Sequence, residues 1–228
     1  MEIKPIAYIM TDFKEKFGIP RQSGRAPSLT GRIIFEPEYR AEEALRGIEA
    51  FSHLWLIFDF SEAHREKWSP TVRPPRLGGN MRVGVFASRS PFRPNPIGLS
   101  SVELVGVEKT GEYGLTLIVK GADLLDNTPI LDIKPYIAYT DSHPNARCGY
   151  ADKFAEHKLK VEIPAGLYIP DDKRASLIEC LADDPRPSYH DDPERIYGMS
   201  FAGFNIRFRI HDGICEVLNM EENKNDKI

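Results

Sequence analysis

The feature that most limits the fold is a succession of short β-branched and aromatic runs, set close together along residues 1–140 with little helical periodicity between them. Ile3–Met10, Arg32–Phe35, His53–Phe60, Val83–Ala87, Leu99–Val107, Leu115–Val119 and Pro129–Ile137 read as strands, separated by turn signals such as Lys109-Thr110-Gly111. Between them, Tyr39–Phe51 offers helical spacing, with Leu45, Ile48 and Phe51 on one face and a Glu42/Arg46 pair at i, i+4. A parallel sheet needs a crossover between successive strands, so this order favours an antiparallel barrel or sandwich over a Rossmann sheet. The absence of G-x-G-x-x-G and of a P-loop signature points the same way. The expected fold is mainly β: an N-terminal antiparallel β-barrel of about seven strands with one helix, plus a small C-terminal α+β domain.

Within His53–Phe60, Leu54, Leu56, Phe58 and Phe60 share one strand face, while His53, Trp55, Ile57 and Asp59 share the other. Both faces are largely apolar. The run therefore reads as a buried strand, and His53 as a hydrogen-bonded core histidine. Ser52, His53 and Asp59 look superficially like a catalytic triad. Sequence neighbours point to opposite faces of a strand, and no G-x-S-x-G elbow is present, so serine-hydrolase chemistry is set aside.

Charge is distributed unevenly. The chain of 228 residues has a net charge of -4, yet Lys67 to Ser101 holds Lys67, Arg73, Arg76, Arg82, Arg89 and Arg93 and no acid. Pro70, Pro74, Pro75, Pro91, Pro94 and Pro96 stiffen this stretch, while Gly78, Gly79, Gly84 and Gly98 permit tight turns. Guanidinium forks in such a frame suit planar anions and phosphates; the alternative is a proline-rich loop whose arginines pair with acids elsewhere. A polyanion would have to meet this local patch, because the whole chain is not basic.

Two further stretches carry candidate chemistry. Gly18-Ile19-Pro20-Arg21-Gln22 sets an arginine beside an amide between Gly and Pro, a combination that serves an adenine edge, a carboxylate or an ordinary surface loop. In GADLLDNTPILDIKPY, Asp123 and Asp126 flank a turn, and Asp132, Lys134 and Tyr136 fall on one strand face. Paired carboxylates could bind ribose hydroxyls, an ammonium or a sulfonium, and Asp132 with Tyr136 could assist proton transfer. Turn aspartates and an Asp132/Lys134 surface pair are the plainer alternative.

Residues 139–172 are rich in Pro, Gly and charge and read as a connection, followed by a helix at Lys173–Leu181 and a turn-rich loop, DDPRPSYHDDPE. In FNIRFRIHDGICEVLN, Phe204, Ile206, Phe208 and Ile210 alternate with Asn205, Arg207, Arg209 and His211, and Asp212-Gly213 marks a hairpin. The expected division is 1–145, 146–172 and 173–228. Cys148, Cys180 and Cys215 are odd in number and widely spaced, which suggests neither a disulfide framework nor a metal site and fits a reducing cytoplasm. The longest uncharged apolar run, Leu54–Phe58, is too short to span a bilayer, so a soluble cytoplasmic protein with no membrane association is expected.

The stretches FGIPRQSG, LRGIEAFSHLWLIFDF, VRPPRLGGN, RVGVFASRSPFRPNPIGLS and GADLLDNTPILDIKPY, with DPRPSY and FNIRFRI near the C-terminus, closely resemble the TrmO (TsaA/YaeB-like) family. The resemblance implies an S-adenosylmethionine (SAM)-dependent tRNA methyltransferase built on a β-barrel. It also implies a homodimer with the cofactor near the subunit interface, acting on N6 of threonylcarbamoyladenosine at tRNA position 37. Carried onto this chain, the cofactor contacts fall on Pro20, Arg21, Gln22, Ser61, Glu62, Arg89, Leu99, Asp123, Leu124, Leu125 and Asp126; Ser61 stands where related sequences often have His. Asp132 and Tyr136 are the candidates for accepting the proton, and Arg73, Arg76, Arg82, Arg93, Arg207 and Arg209 the candidates for contacting tRNA. A non-catalytic SAM-sensing or RNA-binding module is the alternative reading.

Overall fold

The structure, a computed structural model, describes residues 2–223 apart from 188 and 191. Six strands form a closed barrel: β1 (Ala7–Met10), β2 (Thr30–Phe35), β3 (His53–Asp59), β6 (Ile97–Thr110), β7 (Gly114–Lys120) and β8 (Thr128–Pro135). They run antiparallel in the order β1-β2-β7-β6-β3-β8, and β8 pairs back onto β1. Alternation decides which side chains fill the interior. On β3, Leu54, Leu56 and Phe58 are buried inside, whereas Trp55 and Ile57 face outward and are half-buried. On β6, Gly98 pairs with Phe58, and a Cβ there would come within 2.2 Å of the Phe58 ring, so a glycine lets the aromatic lie across the barrel.

Four expectations for this region are corrected. Val83–Ala87 is not a barrel strand: β5 (Val83–Gly84) pairs with β4 (Thr71–Val72) as a two-stranded ribbon, and Val85–Ala87 turns away as a 3₁₀ element. Tyr39–Phe51 is not an α-helix but a chain of 3₁₀ turns at Pro37–Tyr39, Glu42–Leu45 and Ile48–Ala50. Gly47, at φ 86°, breaks the helical path, and Leu45 and Ile48 pack on the barrel core from separate turns. Glu42 reaches Lys109 on β6 at 2.7 Å instead of Arg46, and this hydrogen bond holds its carboxyl below the usual range. His53 is exposed, not buried; its Nδ1 lies 3.0 Å from Ser52 Oγ, while Asp59 turns to His64 at 2.8 Å.

The C-terminal unit is a four-stranded sheet in the order β10-β11-β12-β9, covered by the helix α2 (Asp171–Ala182) after a short helix α1 (Ala138–Asp141). Its strands are β9 (Lys160–Glu162), β10 (Ile196–Phe201), β11 (Phe204–His211) and β12 (Ile214–Glu222). The hairpin at Asp212 and Gly213 forms with both residues at positive φ, 47° and 77°. Strand β10 has no turn signal in the sequence to mark it, because Ala202-Gly203, at φ 51° and 80°, makes the same kind of turn without the Asn-Gly or Asp-Gly signature. β9 lies within 146–172, the stretch read as a connection, and pairs parallel to β12.

The two units share a boundary built by the loop after β1. Phe13, Ala26 and Leu29 of that loop belong to the same buried cluster as Leu177, Leu181, Phe201 and Phe208. Lys173 pairs with Asp12 at 2.7 Å, and Glu179 accepts hydrogen bonds from the Ser28 amide and hydroxyl at 2.7 and 2.8 Å. The loop carrying Pro20, Arg21 and Gln22 is therefore shaped by the C-terminal sheet as much as by the barrel.

Candidate functional site at the barrel end

Four segments converge at one end of the barrel: the loop after β1, the 3₁₀ turn Ser61–Ala63 after β3, the stretch leading into β6, and Gly121–Asn127 between β7 and β8. Gly24 donates its amide to the Gly121 carbonyl at 2.9 Å, which ties the first and last of these together. Asp123 accepts a hydrogen bond from Ser100 Oγ at 2.6 Å. Gln22 accepts a hydrogen bond from Arg89 Nη1 and donates to the Arg21 carbonyl. Arg89, Gln22, Ser100 and Asp123 thus form one polar cluster, in which a flexible arginine from the acid-free stretch meets a carboxyl sunk below the rim.

Burial pushes the Asp123 pKa above the usual carboxylate range, against the Ser100 hydrogen bond, backbone hydrogen bonds and the charge of Arg89. A raised folded-state pKa means that the native chain holds this proton more tightly than the unfolded chain. Its contribution to stability is therefore present below the ordinary aspartate pKa and lost as pH rises through the shifted value. Asp123→Asn is expected to be more stable than the parent above that window and to lose the advantage below it. Urea unfolding over a pH series measures this; a pH-independent difference would mean that the carboxyl is well solvated in the folded chain.

The other residues of the expected set are distributed differently. Arg21 extends away from the cluster: its Nη2 donates to the Arg186 carbonyl at 2.9 Å, and its amide lies 3.4 Å from Asp183 Oδ2. A small cleft of about 110 Å³ runs beside it, lined by Gly18, Ile19, Pro20, Asp183 and Asp184 among others. Leu124 points into the barrel core and presents only its backbone, whose carbonyl accepts from Thr11. Asp126 accepts from the Thr11 amide at 2.8 Å and pairs with Lys14 at 2.6 Å, so it also clamps the loop after β1. Glu62 pairs with Lys16 at 3.0 Å, and Ser61 is exposed. Leu99 is 57% exposed on the outer face of the barrel, opposite in direction to the buried Ser100.

Asp132 stands beside Ile57, and Ile57 beside Leu99, so these three form a row across β8, β3 and β6 on that outer face. Asp132 pairs with Lys134 at 3.0 Å, and the Tyr136 ring packs against Trp55 and His53 at 5.4 and 6.1 Å. Among the arginines, Arg73, Arg82 and Arg207 are exposed. Arg76 is turned inward to Asp183 at 3.4 Å and lies over the Phe154 ring. Arg93 donates to the Val85 and Ser88 carbonyls at 3.1 and 2.8 Å, and Arg209 donates to Glu216 at 2.7 Å. Ser100 and Asp183 were not singled out from the sequence. Ser100 carried a faint signal, since in the strand read from Leu99 it alternates onto the face opposite Leu99; Asp183 carried none, because an acid in a turn-rich loop looks solvated.

A six-stranded barrel with a polar cluster of mixed charge at one end, backed by a second sheet, defines a class of mainly β proteins apart from the doubly wound nucleotide-binding folds. Within that class the chain belongs to the tRNA-methyltransferase O family: the model of the family's N-terminal domain matches residues 8–142, and that of the TrmO C-terminal domain matches 168–223. It is 41% identical over 230 aligned residues to the tRNA (adenine(37)-N6)-methyltransferase of Escherichia coli K12, covering 96% of this chain and 97% of that one. A probable S-adenosyl-L-methionine-binding protein of Pyrococcus abyssi is 41% identical over 157 residues, 69% of this chain and 79% of its own. A crystal structure of TrmO from Pseudomonas aeruginosa superposes with a TM-score of 0.77 at 35% identity, covering 97% of this chain and 98% of that one.

Proposed function

We propose that this chain is a SAM-dependent tRNA methyltransferase that methylates N6 of threonylcarbamoyladenosine at tRNA position 37. The observation that carries the reading is the end-to-end likeness to a tRNA (adenine(37)-N6)-methyltransferase, in a chain whose Arg89, Gln22 and Asp123 converge at the barrel end. That donor set fits the cofactor's groups: a guanidinium for a carboxylate, an amide for an adenine edge, and acids for hydroxyls, an ammonium or a sulfonium. Gln22, Arg89 and Asp123 would hold it by side chains, and Pro20, Arg21, Leu124 and Leu125 by backbone. Ser61, Glu62 and Asp126 would shape the surrounding loops.

Bound there, SAM supplies an electrophilic methyl group on a sulfonium. The protein's part is to align that group with the target nitrogen, which is where most of the rate enhancement in such transfers comes from. The nitrogen of a ureido group is a poor nucleophile and must lose its proton on attack; Asp132 or Tyr136 is the proposed acceptor. Both lie on the outer face with Leu99. The exposed Ile97, Leu99 and Val105 on β6, at 42%, 57% and 51%, support a homodimer in which that face meets a second copy and Leu99 and Asp132 reach the neighbouring cluster. Arg73, Arg82 and Arg207 are exposed and would meet phosphate, Arg82 from a side chain steadied by Thr71 at 3.1 Å. Arg76, Arg93 and Arg209 would act mainly by holding the surrounding structure.

The proposed division is a cofactor-binding barrel at 1–145 and an appended unit at 173–228, with the intervening 146–172 lending β9 and the start of α2 to the appended unit. Among the described residues no helix is long and apolar enough to cross a membrane, and a tRNA substrate would place the enzyme in the cytoplasm. Purified protein with SAM is expected to methylate tRNA bearing threonylcarbamoyladenosine and to leave the same transcript without that group untouched. Equal methylation of both would remove the proposed specificity. Binding without methylation of either would favour a SAM-sensing or RNA-binding module.

A further inference from the structure

We propose that Trp68 and Phe86 form a stacking platform for an unpaired base of the RNA; this rests on the tRNA reading above. The two rings lie 6.3 Å apart at 32°, and they are 52% and 73% exposed. Aromatic side chains of this size are ordinarily covered, so two of them in contact at the surface call for an occupant. The backbone beneath them is fixed. Thr71 pairs with Gly84 and Val72 with Val83, the Val85 amide donates to the Pro70 carbonyl at 2.9 Å, and the Val85 side chain is buried. One ring thus sits just before the first strand of the ribbon and the other just after the second, and little further ordering is needed to present them.

The charge around the rings selects the occupant. Lys67 to Ser101 contains no acid, and it supplies the exposed Arg73 and Arg82 as well as Arg93, whose guanidinium lies 5.8 Å from the Phe86 ring centre. An acidic peptide would match the cations but would leave flat rings without a flat partner. An apolar protein face would cover the rings but bury cations beside them at a desolvation cost. Single-stranded nucleic acid offers both a π-face for the rings and phosphates for the arginines. Paired bases in an A-form helix keep their faces stacked inside, so the platform takes a base from a loop, the kind of segment in which position 37 lies.

The test uses the full chain and three RNA probes: a seven-base-loop anticodon stem-loop, its heptanucleotide loop alone, and a blunt duplex of equal length. Trp68→Leu and Phe86→Leu keep apolar bulk and remove the stacking plane. Each is expected to weaken stem-loop and heptanucleotide binding about five-fold or more, with duplex binding, SAM affinity and sedimentation mass unchanged. The heptanucleotide should also quench tryptophan fluorescence in the parent and do so far less in Trp68→Leu, where Trp55 is the remaining tryptophan. Unchanged single-strand affinity in both variants would overturn the platform while the parent's tRNA binding stood. A change in mass would overturn it in favour of an interface between copies, and a parent that binds none of the RNAs would overturn the tRNA reading and the platform together.

Discussion

Replacing Asp183 by alanine is expected to lower the unfolding free energy by about 3 kcal/mol, the lower end of the range for removing one partner of a buried ion pair. The Asp183 side chain is 3% exposed, with Arg25 Nε at 2.6 Å, Arg76 at 3.4 Å and Lys158 at 4.0 Å, and it also faces the Arg21 amide. Without it, three cations from three distant parts of the chain lose the acid that pairs with all of them. Arg25 and Arg76 keep about a fifth of their side-chain surface in water, and that residual solvation is why the lower end applies. Urea unfolding measures the loss, and Glu42→Ala, which breaks the exposed pair with Lys109, serves as the comparison with a far smaller effect, because water already screens both charges. Equal effects from the two variants would show that the Asp183 cluster is far better solvated than its burial implies.

The second large effect is expected at the cofactor. Arg89→Ala should weaken SAM binding about 10- to 100-fold, the loss that accompanies removal of one charge-assisted hydrogen bond of roughly 1.5–3 kcal/mol. The fold should survive. Arg89 is exposed and bonds to Gln22 on a neighbouring loop, and the Asp123 carboxyl, which loses a nearby positive charge, keeps its hydrogen bond from Ser100. Calorimetric titration gives the affinity, and Arg209→Ala, whose partner is Glu216 on the C-terminal sheet, is the matched control with unchanged SAM binding. A folded Arg89 variant of undiminished affinity would move that arginine to RNA contact.

Much of the strand framework was legible without coordinates, because alternation is a local property. Each residue's partition between core and water repeats at period two, so Leu54, Leu56 and Phe58 on β3, and Ile206, Phe208 and Ile210 on β11, announce their faces within a few residues. Candidate loops were legible for the same reason, since proline, glycine and arginine constrain or charge their own neighbourhood. Tyr39–Phe51 shows where local reading fails: its helical spacing is real, yet Gly47 takes a left-handed φ and the turns lie along the barrel.

The fate of individual charges was decided by tertiary structure alone. Arg76 and Arg82 stand six positions apart in one acid-free stretch, yet Arg76 meets Asp183, 107 positions away, while Arg82 stays at the surface. Asp126 likewise pairs with Lys14 across 112 positions, and Asp123 with Ser100 across 23. Local sequence sets which side chains can enter water or core. Which opposite charge waits there depends on how the barrel and the second sheet bring distant loops together, and an ion pair decays with distance in space, whatever the separation along the chain.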